Sequence, residues 1–480
     1  KSVASGGHNW TITDGGPIIT VLPFTFNVNN ASSGTATLTF TDLANTDATL
    51  TYNNTSTETI DSNTSVPLSL TMNSGTSTGQ ITATSADTDF AGFQITSANS
   101  FQINEITQWG VIKWKSLRFQ NSNTGLTISD TAYPDLTRCT DLSNCFNGIT
   151  SFNSSNVVGW NTSNVTDMSD MFTNATSFNQ NIGSWDVSSV TTMFQMFLRS
   201  FGFNQNINTW NVSSVTNMED MFGNATIFNN GGQALTWSSG TGTSAVTNMN
   251  GMFNNADAFN QDISSWDVSN VTDMQNMFTN TDSFNQNLST WDISSVTDIR
   301  SMFSGTTNFN NGGQALTWTN GTGTSAVTRM DSVFSGATAF NQDINSWDVS
   351  NVTYMQVMFG DATSFNQDLS SWNTSNVRSF NRMFEGATSF DQNIGSWDVT
   401  SIVAFAGGAT NMFGATGTSK AVTLSTANYD ALLIGWAAQS VNSGILFSGG
   451  DSQYTAGGAA ATARATLVTA GWTITDGGPV

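Results

Sequence analysis

The chain is poor in basic residues, and this limits the partners that it can bind. Lysine and arginine total 12 against 34 aspartates and glutamates, so the formal net charge is −22 at pH 7. Nucleic acids and anionic bilayers are bound through basic patches, and we therefore expect no nucleic-acid partner. No stretch approaches the run of about 18 apolar residues that a membrane-spanning helix needs, and we expect no direct insertion into a membrane.

Histidine is almost absent, which argues against most catalytic sites. His8 is the one histidine, and it lies in a polar terminal segment. The sequence contains no Ser/His/Asp set, no phosphate-binding loop and no HExxH motif. Carboxylates are plentiful, so a paired-carboxylate hydrolase is not formally excluded. We expect no enzymatic activity and no cofactor.

Cysteine is also scarce, and the two that occur, Cys139 and Cys145, leave two interpretations open. Aligned with the repeat described below, both side chains face the core of the first, atypical coil. They are either a pair of buried thiols or a disulfide that stabilises the N-terminal cap, which an oxidising compartment would permit. A separation of six residues is too long for good bridge geometry on an ideal helix, although a looser coil would allow it. Two cysteines without histidine partners argue against a zinc site.

What the sequence does contain is a repeated unit of 25 residues, seen most clearly at 259–283. It recurs with variations from about residue 152 to about residue 413, and one tryptophan marks each copy. The markers are Trp160, Trp185, Trp210, Trp237, Trp266, Trp291, Trp318, Trp347, Trp372 and Trp397. A fixed period in this range predicts a solenoid, in which stacked units bury a stripe that one unit cannot bury alone.

The first half of each unit predicts a short strand. Ile263, Trp266 and Val268 have the apolar-x-x-apolar-x-apolar spacing of a leucine-rich-repeat strand, and the residues that alternate with them should face solvent.

The second half predicts a helix of about two turns. Asn270 and Asp273 are spaced like a capping box at its start. The apolar residues that follow have helical spacing and are Val271, Met274, Met277 and Phe278.

Two longer units, 228–258 and 309–339, carry the same insertion. Both contain NNGGQALTW followed by GTGTSAVT, and the additional Gly, Ser and Thr predict a loop on one side. Such insertions often mark a functional face, and simple duplication history is the alternative.

The unit resembles the BspA-like bacterial surface proteins, which are related to leucine-rich repeats. The resemblance is carried by the pattern W-D/N-V-S-x-V-T-x-M-x-x-M-F and by the link A-T-S-F-N-Q at 175–180 and 362–367. The C-terminal patterns Y-D-x-L-L-x-x-W-A and G-W-T-I-T-D-G-G resemble the same family. The resemblance implies an extracellular, non-catalytic role at the cell surface, and it supplies no catalytic residues.

The two ends of the chain carry nearly the same sequence. HNWTITDGGPI begins at His8 and GWTITDGGPV ends the chain, so that Trp10 and Ile12 correspond to Trp472 and Ile474. Two interpretations compete. Either the chain is one processed or excised segment of a tandem protein, or the terminal strands meet at a subunit junction, where one copy completes the sheet of the next. In both cases we expect copies of the chain to be linked head-to-tail.

The remaining regions complete the predicted organisation. Residues 1–17 form an N-terminal linking strand, and the alternating, Thr-rich residues 18–108 form an antiparallel β-sandwich. Residues 109–150 cap the solenoid at its N-terminal end, and 151–413 are the repeats. Residues 414–480 form an α/β C-terminal cap, in the order helix, strand, helix and a terminal linking strand.

The residue that follows each marker tryptophan suggests a metal site. These residues form a column on the predicted sheet, in which Asp267 and Asp292 lie on adjacent rungs. Neighbouring carboxylates repel each other unless they are neutralised, and calcium prefers oxygen ligands. The column is either a polar ladder of side-chain hydrogen bonds or a place where Asp267 and Asp292 help to bind calcium.

These observations predict an extracellular structural protein at the cell surface, the subunit of a filament or fibre. The alternatives are an adhesin that binds a host or neighbouring-cell surface protein or glycan through its repeats, and the receptor-binding fibre of a virus. Exposed aromatic residues around the two insertions would favour the adhesin.

Overall fold

The structure is a computed structural model that describes the strands within residues 24–108 and, apart from 111, 120–124, 319, 322 and 405–407, residues 109–480. The predicted linking strand at 1–17 lies outside the described residues. The chain divides into two compact units, Lys1–Ser214 and Val215–Val480. This division falls inside the predicted repeat region, and each unit is described by itself.

The first unit begins with strands that alternate threonine with apolar residues. Their bounds are β1 Phe24–Asn30, β2 Gly34–Phe40, β3 Ala48–Tyr52, β4 Ser56–Ile60, β5 Leu68–Met72, β6 Gly75–Ala83, β7 Asp89–Phe90, β8 Phe93–Thr96 and β9 Phe101–Gln108. One antiparallel sheet has the order β9-β1-β6-β3-β4, and a second has the order β8-β2-β5. The predicted packing of these strands as a β-sandwich stays a prediction.

Three short strands then change the direction of pairing from antiparallel to parallel. They are β10 Lys113–Trp114, β11 Leu117–Arg118 and β12 Thr127–Ile128, which pair in parallel with β7, β8 and β9. Ser116, next to β11, bridges Asp141, which in turn bridges Asp167 in the following repeat. Residues 109–150 therefore join the N-terminal sheets to the first repeats.

Within each unit, the repeats bury the same positions and stack the same rings. Met274, Met277 and Phe278 have no exposed surface. Phe278 stacks on Phe303 of the next repeat, with ring centroids 5.7 Å apart and planes inclined by 2°. Burial of one such side chain is worth about 1.5–3 kcal/mol, and each repeat gains it only when a neighbour covers it.

The predicted helix is wrong: residues 275–280 form turns, and the described repeats of this kind contain no α-helix. Asn276 and Asn280 have φ values of 57° and 53°, in the left-handed region that breaks a right-handed helix. The N–H groups of Met274 and Phe278 donate to Asp298 and Met302 of the next repeat, at 3.1 and 2.9 Å. Alternate backbone donors of this segment therefore bond to the next repeat, and the parallel bridge lies here, at Asp273 and Asp298.

The predicted strand at Ile263–Trp266–Val268 is also absent from the described structure, which has consecutive tight turns there. The N–H of Trp266 returns to the carbonyl of Ile263 at 3.1 Å. Neighbouring repeats are connected in this half by side chains instead. The indole Nε1–H of Trp291 donates to the carbonyl of Ile263 in the preceding repeat, at 3.2 Å.

This indole bond recurs from repeat to repeat. The other pairs run from Trp185 to Val157, Trp210 to Ile182, Trp266 to Leu235, Trp318 to Leu288, Trp347 to Leu316, Trp372 to Ile344 and Trp397 to Leu369, at 2.6–3.3 Å.

The C-terminal part has the predicted order of elements. It comprises α1 Thr426–Ala437, β13 Leu446–Ser448, α2 Ala459–Thr469 and β14 Thr473–Thr475. The apolar side of α1 is buried as its spacing predicts, at Tyr429, Leu432, Leu433 and Trp436. Among the residues that the structure describes, neither helix is long and apolar enough to cross a membrane.

We predict that Trp291→Phe destabilises the repeats on either side of it. The substitution removes the indole donor from the buried carbonyl of Ile263, which keeps only the N–H of Trp266, and loss of one such bond costs about 0.5–1.5 kcal/mol. Hydrogen exchange of peptides covering 259–303 measures the loss locally, because repeat arrays need not unfold in one step.

Thr297→Val is the matched control for this substitution. It removes a hydroxyl bond to the carbonyl of Thr272, which likewise keeps a backbone donor, the N–H of Thr297 at 3.0 Å, but this bond is exposed and water can replace it. Equal losses of hydrogen-exchange protection in the two variants would show that the buried indole bond contributes no more than an exposed hydroxyl bond.

Candidate functional site

A column of asparagines connects the repeats on the side where the chain enters each unit. Oδ1 of Asn260 accepts the N–H of Asn285 at 3.0 Å and Nε2 of Gln286 at 2.8 Å. Asn285 accepts the N–H of Asn310 in the same way, at 2.8 Å. These asparagines satisfy backbone donors of the neighbouring repeat, so their side chains already have partners within the protein.

The column ends at an aspartate, and this change of residue attaches the C-terminal cap. Asp391 stands where the other repeats have asparagine, and its Oδ1 accepts the N–H and the hydroxyl of Ser425 at 2.8 and 2.9 Å. It also accepts Nδ2 of Asn428 at 2.8 Å. Ser425 is the N-cap of α1, so a carboxylate is placed where the helix dipole favours negative charge.

The cap continues the indole pattern of the repeats with a helix in place of a turn. Nε1 of Trp436, in α1, donates to the carbonyl of Ile394 at 3.3 Å. Gln439 then donates to the carbonyl of Trp397 at 2.7 Å and accepts the N–H of Val399 at 2.9 Å. The α1 segment therefore satisfies the backbone groups that another repeat would otherwise satisfy.

The parallel ladder of the second unit ends at β14. Ala409 of the last repeat bridges Phe447 in β13, and Phe447 is the register partner of Ile474 in β14. No other strand pairs with β14 in the part of the chain that the structure describes. The segment at 472–480 is thus the last rung of this ladder.

The side chain of Trp472 packs beside β14 in an aromatic socket formed by Trp436 and Phe447. Its side chain is 3% exposed, and its ring centroid lies 6.1 Å from those of both Trp436 and Phe447. Its Nε1–H donates to the carbonyl of Asn442 at 2.9 Å. The predicted interface residue Trp472 is therefore buried in the cap of its own chain, whereas Ile474 is half-buried.

Asp476 fixes the other end of the segment. It accepts Nε of Arg464 at 2.7 Å and the hydroxyl of Tyr429 at 2.8 Å, and its side chain is 3% exposed. Burial and the neighbouring carboxylate raise the pKa of Tyr429 well above its ordinary value, so the phenol stays a donor. A buried carboxylate needs partners of this kind, since an unpaired one is costly.

Arg464 also covers the outward side of β14. Thr473 and Thr475 make their backbone bonds to the β13 side, through the carbonyl of Ile445 and the N–H of Gly449. The carbonyl of Ile474 therefore points away from β13, as alternation along a strand requires. Nη2 of Arg464 donates to it at 3.2 Å.

The other predicted site residues do not form a common site. Trp10 and Ile12 lie outside the described residues. Oδ1 of Asp267 accepts the N–H and the hydroxyl of Ser269 at 3.1 and 2.6 Å, and Oδ1 of Asp292 accepts the N–H of Ser294 at 3.0 Å. Within the described residues no three His, Cys, Asp or Glu side chains group as metal ligands would. The calcium site stays a prediction.

The two insertions end in polar loops. Asn230 and Asn311 are buried, and each donates to two carbonyls of the turn that follows it. The described residues of 238–244 and 320–324 are Ser, Thr, Gly and Asn, with no exposed aromatic side chain among them. The feature that would favour an adhesin is therefore not found there.

Sequence reasoning missed the residues that hold the terminal segment. Asp391, Arg464, Tyr429 and Asp476 were not among the predicted site residues. One signal was available for Asp391, because it is the aspartate in a column of asparagines. Arg464 was a second signal, since it is the only basic residue after Lys420 in an acidic chain.

Both cysteines are free, buried thiols in the structure, and the alternative of a disulfide stays a prediction. Burial raises the pKa of Cys139 to about 12 and that of Cys145 well above its ordinary value. We predict that neither thiol reacts with a thiol reagent at about pH 8 in the folded protein, since the thiolate is the reactive form. Titration in denaturant without reductant should then find both thiols, whereas a disulfide would leave none.

We predict that Asp391→Asn loosens the cap at neutral pH. Desolvation raises the pKa of Asp391, but the hydrogen bonds from Asn428 and Ser425 outweigh it and lower the pKa below its ordinary value. A lowered folded-state pKa contributes stability above the unfolded pKa, and this stability is lost as the pH falls through the folded value.

We expect α1 amides to lose about 1 kcal/mol of protection at pH 7 in Asp391→Asn, and the difference from wild type to vanish in acid. Hydrogen exchange measures it. Asp368→Asn is the control, because Asp368 accepts only from Ser370 in its own repeat. A loss that persists unchanged below about pH 3 would contradict the ionic explanation.

Comparison with known proteins places the repeats in one family. The model of the family described as "Mycoplasma protein of unknown function, DUF285" matches three times, at 115–237, 235–322 and 317–423. No curated protein and no solved structure matches the chain. The three matches together cover well over half of the 480 residues and follow one another along the repeats. The chain is a repeat protein and belongs to the DUF285 family.

Proposed function

We propose that the protein is a non-catalytic, extracellular structural subunit that assembles head-to-tail through its terminal strands into a surface filament or fibre. One observation carries this proposal. Residues 10–17 and 472–479 have the identical sequence WTITDGGP, and the second copy is the last rung of a parallel ladder. A strand of another chain can join the last rung of a ladder, either beside it or in its place.

A solenoid with leucine-rich-repeat-like coils suits this role. Parallel bridges recur once per repeat within each unit, as at Asp273, Asp298 and Arg329, and the Phe rings stack in the same order. Each repeat thus depends mainly on its two neighbours. The BspA-like pattern of the repeats supports an extracellular position at the cell surface, together with the low density of charge.

A second candidate, an adhesin that binds a host or neighbouring-cell protein or glycan, has less support. Binding surfaces of that kind rely on exposed aromatic anchors. The described residues of the two insertion loops offer hydroxyls and glycines instead. No specific observation favours the third candidate, a viral receptor-binding fibre.

Negative-stain electron microscopy tests the proposal. We predict filaments in native material, and their loss when residues 1–17 are deleted. Deletion of residues 1–9 is the matched control, because it keeps the sequence WTITDGGP, and filaments should persist in it. Single particles in every sample would overturn the proposal.

A further inference from the structure

We propose that the C-terminal cap of one molecule accepts residues 10–17 of a second molecule in place of its own residues 472–479. The inference rests on the proposed head-to-tail assembly and specifies its joint. The partner is a second copy of this chain, and the joint is a replacement of the last rung instead of an addition to it.

Each side chain that seats the resident segment has an identical counterpart near the N-terminus. Trp10 corresponds to Trp472, which occupies the socket of Trp436 and Phe447. Asp14 corresponds to Asp476, which accepts Arg464 and Tyr429. The aromatic socket and the cation–phenol pair lie at opposite ends of the segment, so together they fix its register.

The backbone requirements are met in the same way. A Cβ atom at Gly477 would lie 2.4 Å from the carbonyl oxygen of Asp451, and Gly478 has a φ of 81°. Both positions therefore favour glycine. Gly15 and Gly16 supply glycine at the matching positions of the N-terminal segment.

Arg464 favours replacement over addition. A strand that paired with the outward side of β14 would need the carbonyl of Ile474, to which Nη2 of Arg464 already donates at 3.2 Å. The same arginine is held by Asp476, so freeing that edge would break a buried ion pair. Replacement keeps these bonds, because Asp14 and Ile12 bring the same groups.

One neighbouring position differs between the two segments. Gly471 has a φ of 97°, and a Cβ atom there would lie 2.9 Å from Cβ of Ser443. Asn9 precedes Trp10, and asparagine tolerates positive φ better than most residues. The contacts of the incoming segment therefore match those of 472–479 from Trp10 onward. Only Asn9 needs a backbone conformation different from that of Gly471.

Because the two segments make identical contacts, the free energy of exchanging one for the other is close to zero, as in domain swapping. The resident segment is tethered, and its effective concentration is of the order of millimolar. We therefore expect little exchange at micromolar concentration, and more when the resident segment is weakened or the subunits are concentrated.

A disulfide trap tests the exchange in the full chain. Leu446 and Thr473 are register partners in parallel strands and are both exposed, so Leu446→Cys with Thr473→Cys should close within one molecule. With Leu446→Cys and Thr11→Cys, closure between molecules gives covalent multimers, whereas closure within one molecule gives a cross-linked monomer. We expect these covalent multimers on a non-reducing gel to increase at least several-fold when Trp472→Ala and Asp476→Ala are added.

The matched control places the alanines at the other end. Trp10→Ala with Asp14→Ala, combined with Thr11→Cys and Leu446→Cys, should abolish the multimers, because the incoming segment loses its two anchors. Multimers that are unaffected by either alanine pair would overturn the proposal.

If the Trp472→Ala, Asp476→Ala chain fails to fold, the cysteine pair alone is oxidised at rising protein concentration. A yield that stays at the level of the single-cysteine chains up to the millimolar range then overturns the proposal.

Electron microscopy of the same samples separates this inference from the proposed function. Filaments without trapped multimers would overturn the exchange and leave head-to-tail assembly standing through another contact. Trapped multimers without filaments would support the exchange and count against the filament.

Discussion

The indole bond that marker tryptophans such as Trp291 make to the preceding repeat is the constraint on which the arrangement of the repeats depends. A buried indole N–H must find an acceptor, and here the acceptor is a carbonyl of the adjacent repeat, as with Trp291 and Ile263. The other half of each repeat bonds through its backbone, as with Met274 and Asp298. A single repeat would leave both kinds of group unsatisfied, so the polar groups and the apolar stripe require a neighbour for the same reason.

The period and the buried positions could be predicted from the sequence, but the local conformation could not. Val271, Met274, Met277 and Phe278 are buried as their spacing predicts, yet none of them lies on a helix. The spacing of apolar residues indicates which of them face the core, but a helix and a series of turns can have the same spacing. The distinguishing signal was the recurrence of Asn and Gly at positions such as Asn276, Asn280 and Gly305, which have positive φ. These residue types adopt left-handed conformations at low cost, and a helix would not select them.

Residues of the candidate site could be predicted where they belong to a repeated sequence pattern. They could not be predicted where such a pattern stops. Trp472 and Ile474 were predicted as interface residues because their sequence occurs twice, and their role between subunits stays a prediction. Asp391 and Arg464 act through pairs that are distant in the chain, such as Asp391 with Asn428 and Arg464 with Asp476. Their roles depend on where α1 and α2 pack, and no local spacing contains that information. An exception inside a regular column, as at Asp391, is the most informative local sign.

The end of a repeat array has two opposing requirements, and the C-terminal cap meets both. The last repeat needs partners for its backbone groups, yet a perfect cap would leave no edge for assembly. Here α1 satisfies the last repeat through Asp391, Trp397 and Val399, independently of β14. The terminal segment is held mainly by Arg464 and by the ring of Trp436, whose indole N–H also donates to Ile394 of the last repeat. Apart from Trp436 the two sets are distinct, so the proposed exchange of the segment at 472–479 would leave the repeats beneath it covered.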